Sequence, residues 1–239
     1  MTIQLHISVE SELPVPPGAL QRAERLASGY LHADMVMRAH GIQSTIVVFG
    51  STRMTSASDY YAIARDFGQL VGRSGEGPDD NRLTLVTGGG PGIMEAANRG
   101  ASDVGAKSIG LNIRLPREQT PNRYVSKSLS FNFHYFAIRK LHFLLRARAL
   151  VVFPGGFGTL DELFETLNLM QCRKIRRLPV IMVGREFWER VLDFRQLIAE
   201  GCIDPQDLEL VQYAESADEI WGAIIDWHDS VGKPLLTDE

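Results

Sequence analysis

The sequence has 239 residues, with 25 Lys and Arg against 29 Asp and Glu, so the formal net charge is -4. A mildly acidic chain lacks the basic field that neutralises phosphate backbones, which argues against a nucleic-acid partner. Apolar residues make up 44% and charged residues 23%, close to globular averages and unlike disordered or fibrous chains. A chain of this length can bury roughly 70% of its unfolded surface, so a folded core is expected without a disulfide or a metal.

The two cysteines, Cys172 and Cys202, are too few for a disulfide framework or a four-cysteine zinc site. They are predicted to be ordinary thiols in a reducing compartment. Residues 1–20 have neither a basic start nor an unbroken apolar run, so neither a secretion signal nor a membrane anchor is predicted. The expectation is a cytoplasmic protein with no membrane partner and no bound metal.

The first predicted helix covers residues 19–40, where Ala23, Ala27, Leu31 and Met35 recur every fourth position among charged residues. Residues 8–18 precede it and contain three prolines, which predicts an irregular arm. Residues 1–42 are therefore assigned to an N-terminal arm and helix outside the main domain.

From residue 45 onward, short β-branched runs alternate with amphipathic helical stretches. Strands are predicted over residues 45–49, 83–87, 108–113, 125–129, 149–153, 179–183 and 208–212. Helices are predicted over residues 59–71, 91–104, 132–148, 159–173, 187–200 and 217–229. This alternation predicts right-handed crossovers and an α/β fold, with one doubly wound, mostly parallel sheet covered by helices on both faces. The domain is assigned residues 43–230, and residues 231–239 are assigned to a tail.

Three predicted strands end in turns rich in small residues. In an open parallel sheet, ligands bind at the carboxyl edge of the strands, where glycine N–H groups and helix N-termini favour a phosphate. One such turn is equally well explained as a tight turn before a helix, but three at one edge favour a phosphate ligand. The residues of these turns are Gly50 and Ser51, then Gly88, Gly89, Gly90 and Gly92, then Gly155, Gly156 and Gly158.

These turns lack the sequence features of dinucleotide-binding and triphosphate-binding sites, which disfavours both classes of phosphate ligand. A dinucleotide site needs a third glycine and, near the end of the next strand, an acidic residue, but Ile93 and Asn112 stand at those places. No turn carries the Lys-Ser/Thr pair of a triphosphate-binding loop. A mononucleotide or a sugar phosphate is therefore the expected ligand.

Glu162 is a candidate for chemistry beside that phosphate. It follows Thr159 by three positions in a predicted helix, so the two side chains lie on neighbouring surface near the helix start. A carboxylate there can bind ribose hydroxyls, stabilise an oxocarbenium-like centre or orient water. The alternative is that Asp161 and Glu162 only complement the helix dipole.

Arg139 lies on the second stripe of the helix predicted over residues 132–148. An arginine on such a stripe is usually solvated or ion-paired, but the strand after this helix leads into the Gly155 turn, so the two elements should be neighbours. The face of this helix that is predicted to be buried consists of Phe133, Phe136, Ala137, Leu141, Leu144 and Leu145.

The run P-G-G-F-G-T-L-D-E, from Pro154 to Glu162, matches the P-G-G-x-G-T-x-x-E signature of the Lonely Guy family, the cytokinin riboside 5'-monophosphate phosphoribohydrolases. The run G-G-G-P-G-I-M from Gly88 and the pair Arg139-Lys140 match its companion motifs, so the sequence resembles this family over residues 45–227. The resemblance implies a Rossmann-like homo-oligomer, most often a dimer and in other cases a larger assembly. It also implies hydrolysis of the N-glycosidic bond of nucleoside 5'-monophosphates, such as AMP or N6-substituted AMP.

The resemblance further implies that Arg139 and Glu162 form the catalytic pair, and it implies no cofactor. Members are often labelled lysine decarboxylases, but this chain offers no reason to expect pyridoxal phosphate. The sequence departs from short family members at residues 136–138, where they read Met-His-x, and in residues 1–40. The residues expected to contact the phosphate and ribose are Ser51, Gly88, Gly89, Lys140, Gly155, Gly156, Gly158 and Thr159.

Two other functions are compatible with the glycine turns. Molybdenum-cofactor carrier proteins share the fold and a related turn and bind a phosphorylated pterin, but a carrier has no chemical need for Arg139 and Glu162. A regulatory nucleotide-binding protein is the other, with residues 1–40 acting as an arm that binds a partner.

Overall fold

The computed structural model describes residues 16–113 and 120–236, which exclude most of the arm predicted over residues 8–18. The strands β1 to β7 of this part of the chain are Ser44–Phe49, Leu83–Thr87, Ser108–Ile113, Ser130–Phe133, Ala147–Val152, Val180–Val183 and Val211–Ala214. The helices α1 to α8 are Ala19–Ala39, Asp59–Gly72, Ile93–Asp103, Phe136–Leu145, Phe157–Gln171, Arg185–Val191, Phe194–Ala199 and Ala217–Ser230. Short 3-10 turns cover Lys127–Leu129 and Pro205–Leu210.

The strands form one seven-stranded sheet in the order β4-β3-β2-β1-β5-β6-β7. Every neighbouring pair is parallel. The chain moves outward from β1 to β4, returns to the other side of β1 with β5, and moves outward again. This is a Rossmann-like doubly wound α/β fold, which confirms the predicted fold class.

Each face of the sheet carries its own hydrophobic core. On one face, helices α1, α4, α5 and α6 pack around Met37, Phe143 and Trp188. On the other face, helices α2, α3 and α8 pack around Phe67 and Ile224. Because both faces are covered, the strand interiors are apolar on both sides, which explains the continuous β-branched runs in the sequence.

The prediction of a strand over residues 125–129 is wrong. Residues Lys127–Leu129 form a 3-10 turn, and the strand follows it at Ser130–Phe133, where Phe131 and Phe133 are buried and Ser130 and Asn132 are exposed. This alternation is the period-two pattern of a half-buried edge strand, whereas the sequence prediction assigns residues 132 and 133 to the next helix. Helix α4 consequently begins at Phe136 instead of residue 132.

Helix α4 buries a different face from the one predicted. Phe143 and His142 are buried, whereas Phe136, Leu141 and Leu145 are 51%, 49% and 49% exposed. The prediction was wrong because it assigned the stripe richest in large apolar residues to the sheet. The structure leaves that stripe on the surface instead.

Two predicted elements near the C-terminus have different boundaries. The helix predicted over residues 187–200 is divided into α6 and α7, because Leu192 is extended and Asp193 starts a new helix by accepting a hydrogen bond from Gln196 N at 3.1 Å. The strand predicted over residues 208–212 begins later, at Val211, after a 3-10 turn that starts at Pro205.

The N-terminal helix packs into the same core as α4. Ala33 and Met37 of α1 are buried, Asp34 Oδ1 accepts a hydrogen bond from Arg146 Nη2 at 2.5 Å, and Tyr30 stacks on His142 with ring centroids 5.2 Å apart. The division of the chain at residue 42 stays a prediction, but α1 itself is part of the layer that covers the sheet.

Replacing Met37 by alanine is expected to lower the free energy of unfolding by about 2–5 kcal/mol, the usual cost of truncating a fully buried side chain. Met35 is the matched control, because it lies on the same helix and is 58% exposed, so Met35→Ala should change stability by less than about 0.5 kcal/mol. Urea unfolding of both variants measures the difference. Equal effects would mean that α1 does not pack as described.

Candidate active site

The glycine turns meet at the carboxyl edge of the sheet. They lie at the point where the strand order reverses, because β2 to β4 lie on one side of β1 and β5 to β7 on the other. Strands β1 and β5 are neighbours, and the N–H of Ser51, after β1, donates to the carbonyl of Pro154, after β5, at 3.0 Å. The N–H of Ile93, at the start of α3, donates to the carbonyl of Ser51 at 3.1 Å. In open parallel sheets, this switch point is the crevice in which ligands bind.

A cavity of 660 Å³ lies between these turns and helix α4. Its volume is in the range of small-molecule sites, about 300–1,000 Å³. The structure thus brings motifs that are far apart in the sequence to one place. The predicted site residues that line this cavity are Ser51, Gly88, Arg139, Gly156, Gly158, Thr159 and Glu162.

The turn before α5 leaves room for a ligand at two of its glycines. A Cβ atom added to Gly156 or Gly158 would meet no atom within 4 Å, whereas one added to Gly155 would collide with the side chain of Thr159. Gly155 is therefore needed for local packing, while Gly156 and Gly158 border open space. The first N–H groups of α5 have no partners inside the helix, and together with the helix dipole they favour an anion there.

Glu162 lies in α5 and lines the cavity. Its side chain is only 6% exposed, and burial raises its pKa from 4.5 to about 7, although nearby Lys140 and Arg139 oppose this rise. A carboxyl group that titrates near neutrality is a common property of catalytic residues. Complementing a helix dipole does not require such burial, since the exposed Asp161 can already do so.

Arg139 reaches the same cavity from α4. Its Nη2 atom is 3.9 Å from Glu162 Oε1, and its guanidinium carbon lies 5.3 Å and 5.7 Å from the ring centroids of Phe143 and Phe136. Burial lowers the pKa of Arg139, and its buried Nε has no hydrogen-bond partner among the described residues. The two rings hold the guanidinium by cation–π contacts, which leaves N–H donors available for a ligand.

Lys140 and Gly89 are not part of the cavity lining. Lys140 Nζ lies 2.8 Å from Asp161 Oδ2 and 3.0 Å from Glu165 Oε2, so its charge is paired with α5. The N–H of Gly89 donates to Thr87 Oγ1 at 2.9 Å, so this N–H is already used inside the turn. Their predicted contacts with a phosphate or ribose stay predictions, and the contacts seen here are with the protein.

Several lining residues were not predicted as site residues: Met94, Asn112, Phe136 and Phe157. Phe157 is 92% exposed, and an aromatic residue between two glycines of a ligand-binding turn is the signal that could have marked it. Asn112 stands at the end of β3, where a dinucleotide-binding protein would carry an acidic residue. The sequence pattern marks Asn112 only as the place of a missing carboxylate, so it predicts no role for the amide.

Within residues 16–113 and 120–236, no three His, Cys, Asp or Glu side chains are grouped in a way that could hold a metal ion. In the same ranges, no helix is long and apolar enough to cross a membrane. Cys172 and Cys202 are both exposed and free.

The fold and the cavity define a doubly wound α/β protein with a glycine-lined crevice, a buried carboxyl group and an arginine at its switch point. The family model described as "possible lysine decarboxylase" matches residues 94–224, more than half of the chain. The chain belongs to this family, which is the Lonely Guy family that its motifs resemble.

Curated relatives carry the name of a nucleotide-cleaving enzyme. The protein named cytokinin riboside 5'-monophosphate phosphoribohydrolase LOG3, from Arabidopsis thaliana, is 29% identical over 181 residues, which cover 73% of this chain and 79% of that protein. The LOG4 protein of the same plant, which has the same enzyme name, is 28% identical over 199 residues, or 80% of this chain and 87% of that protein.

Solved structures share the fold at lower identity. The X-ray structure of TM1055 has a TM-score of 0.52 and 22% identity, and the match covers 76% of this chain and 98% of that chain. The molybdenum cofactor binding protein from Rippkaea orientalis has a TM-score of 0.51 and 21% identity, and the match covers 79% of this chain and 96% of that chain. At these identities the similarity concerns the fold alone.

Proposed function

We propose that this protein hydrolyses the N-glycosidic bond of nucleoside 5'-monophosphates, AMP or N6-substituted AMP such as cytokinin nucleotides, giving the free base and ribose 5-phosphate. The observation that supports this most is the position of Glu162 and Arg139, 3.9 Å apart, in the same cavity as the open glycines Gly156 and Gly158. A phosphate at the start of α5 puts the attached ribose near Glu162, about one helical turn or 5 Å along the helix.

In this reaction an oxygen atom of water forms a bond to C1′ of the ribose, and the bond from C1′ to the base nitrogen breaks. The water loses a proton and the departing base gains one. The ionised carboxylate of Glu162 stabilises the positive charge that develops on the ribose, or directs the attacking water. Arg139 either holds Glu162 and the sugar in position or donates a hydrogen bond to the departing base. Burial of both groups strengthens these interactions because little water screens them.

The phosphate is assigned to the turn between β5 and α5. Thr159 offers its hydroxyl group, the Gly156–Gly158 backbone offers N–H groups, and Ser51 approaches from the neighbouring turn. Backbone donors and a helix N-terminus bind one phosphate without a net positive surface, which fits a chain with a net charge of -4.

The alternative is a non-catalytic carrier of a phosphorylated cofactor. The fold is shared with a molybdenum cofactor binding protein, and the same crevice offers a place for the phosphate of such a ligand. What disfavours a carrier is the buried Glu162 beside Arg139, since burying charged groups costs free energy and carrying a ligand does not require them.

Product analysis tests the proposal. The purified protein is incubated with AMP, GMP, CMP and N6-isopentenyl-AMP, and free base and ribose 5-phosphate are measured by chromatography. Release of adenine or isopentenyladenine in a 1:1 ratio with ribose 5-phosphate is the expected result. Absence of base release from all four nucleotides would reject it, and a pterin-like absorbance of the purified protein would then support the carrier.

We propose a homodimer as the assembly of this protein, with the exposed apolar stripe of α4 facing a second copy. Leu141 and Leu145 border a groove of 770 Å³ that also contains Leu169 of α5. Exposed apolar patches of this kind mark contact surfaces, and homo-oligomers most often use one surface on both copies.

Light scattering measures this assembly directly. The wild-type protein is expected to have twice the mass of one chain, and Leu141→Glu to have the mass of one chain. The control is Val191→Glu, because Val191 is 46% exposed on α6, away from this groove. A dimer that survives Leu141→Glu would place the interface elsewhere.

A further inference from the structure

Asn112 lines the candidate active site from the end of β3. It is 6% exposed, and its Nδ2 atom donates to the carbonyl of Phe131 at 3.1 Å. The carbonyl of Gly110 and the hydroxyl of Ser130 are both 3.4 Å from the same nitrogen. The amide nitrogen of this buried asparagine is therefore directed toward the edge strand β4.

These contacts determine which way the amide is oriented. A carbonyl oxygen can only accept a hydrogen bond, so the nitrogen of Asn112 must face Phe131 and Gly110. The carboxamide oxygen then has no donor among residues 16–113 and 120–236. Gly89 packs so closely against this amide that a Cβ atom there would overlap it, with Oδ1 as the nearest atom. Gly89 therefore helps to fix the position of the amide and covers its oxygen on one side.

The distance along the sheet edge suggests which part of a ligand reaches Asn112. The phosphate turn follows β5, and β3 is three strands away from β5 in the order β5, β1, β2, β3. Neighbouring strands are about 4.8 Å apart, so the end of β3 lies about 14 Å from the phosphate turn. A nucleoside 5'-monophosphate in an extended form covers a comparable length. With its phosphate at α5 and its ribose at Glu162, its base lies toward Asn112.

The surroundings of Asn112 in the cavity also suit a base. Met94 and Ile113 also line this cavity, and apolar side chains such as these can contact the flat face of an aromatic ring. No positively charged group among the described residues makes a hydrogen bond to Asn112. The amide oxygen is therefore an acceptor with no cationic partner, which suits a neutral N–H donor.

We propose that the carboxamide oxygen of Asn112 accepts a hydrogen bond from an amino N–H of the base. This selects adenine nucleotides that keep at least one hydrogen on N6, which include AMP and its N6-monosubstituted forms. The identity of the ligand rests on the proposed function, whereas the role of Asn112 concerns ligand binding and is tested without turnover. A base without an N–H at this place would leave the acceptor buried and unpaired, which weakens binding.

Calorimetry with two ligands tests this role: AMP, and purine riboside 5'-monophosphate, which lacks the 6-amino group. The wild-type protein is expected to bind AMP about 10- to 100-fold more tightly, the effect of one buried hydrogen bond and its unpaired acceptor. In Asn112→Leu, which has a similar volume and no acceptor, the two affinities should agree within about twofold. The matched control is Asn132→Leu. Asn132 is the register partner of Asn112 on β4, but it is exposed and lines a different cavity. This variant should keep the wild-type preference for AMP.

A comparison that uses only the wild-type protein covers the case in which Asn112→Leu does not fold. N6-methyl-AMP keeps one N–H and N6,N6-dimethyl-AMP has none, so the first should bind at least about tenfold more tightly. Equal binding of the two ligands, or a preference for AMP that persists in Asn112→Leu, would overturn the role of Asn112. Because these are binding measurements, they are independent of turnover: hydrolysis without amino-group selection rejects Asn112 alone, and selection without hydrolysis rejects only the proposed reaction.

Discussion

Replacing Glu162 by glutamine is expected to reduce AMP turnover by about 1,000-fold or more, while AMP affinity changes by less than about fivefold. Glutamine keeps the shape of the side chain and one acceptor oxygen but cannot carry the negative charge that supports the developing positive charge on the ribose. Adenine release at saturating AMP measures turnover, and calorimetry measures affinity. Near-normal turnover in Glu162→Gln would show that the carboxylate has another role.

Glu165→Gln is the matched control for this substitution. Glu165 lies in the same helix, but its carboxylate pairs with Lys140 at 3.0 Å and it lines the groove beside α4 instead of the active-site cavity. This variant should keep turnover within about threefold of the wild type. A comparable loss in both variants would indicate a general effect of charge on α5.

Glu162→Gln also separates the titration of Glu162 from that of other groups. Burial raises the pKa of Glu162 from 4.5 to about 7 in the folded protein. An acid whose pKa is raised by folding stabilises the fold while it is protonated, so this contribution is complete below the unfolded value and disappears as pH rises through about 7. The unfolding free energy of the wild type relative to Glu162→Gln should therefore fall by at most about 3 kcal/mol over this range.

Turnover is expected to change in the opposite direction with pH, because the proposed reaction requires the ionised carboxylate. Activity of the wild type should rise as pH increases through about 7, the pKa to which burial raises Glu162. A pH profile of kcat at saturating AMP measures this limb. A profile that falls over the same range would instead identify Glu162 as a proton donor.

Replacing Gly158 by alanine is expected to weaken AMP binding by at least about tenfold without destabilising the protein. A Cβ atom at this position meets no protein atom within 4 Å, so the fold tolerates the methyl group, but the methyl group occupies space that the proposed phosphate needs. Helix propensity favours alanine over glycine by up to about 1 kcal/mol, so the melting temperature should stay the same or rise. Calorimetry with AMP and thermal unfolding measure the two effects.

Gly222→Ala is the control for this experiment. Gly222 also lies in a helix, α8, and a Cβ atom there likewise meets nothing within 4 Å, but it is not part of the cavity lining. It should show the same gain in stability with unchanged AMP affinity. If Gly158→Ala behaves like Gly222→Ala, the phosphate does not bind at the start of α5.

Much of the fold and the central pair of the candidate site follow from patterns in the sequence. The β-branched runs are continuous because the sheet is covered on both faces, and each glycine turn follows directly on one of these runs. Since parallel strands end at one edge, turns that are far apart in the sequence must meet there. The proximity of Arg139 and Glu162 follows from the same rule, because α4 leads into the strand that precedes α5.

Other features depend on contacts that no local pattern encodes. The core-facing side of α4 could not be read from its apolar residues, because Leu141 and Leu145 are exposed while His142 packs against Tyr30 of α1. Asn112 could not be identified as a lining residue either. Its position depends on β3 lying next to β2 and on the close approach of Gly89 to its amide.

The hydrogen bond between Ser51 and Pro154 also bears on how the protein folds. The two residues belong to the two halves of the sheet, and the chain between them forms the strands β2 to β5. Closing such a long loop costs conformational entropy before the contact is made. We therefore expect the crevice, and with it the binding of a nucleotide, to form only when both halves of the sheet have folded.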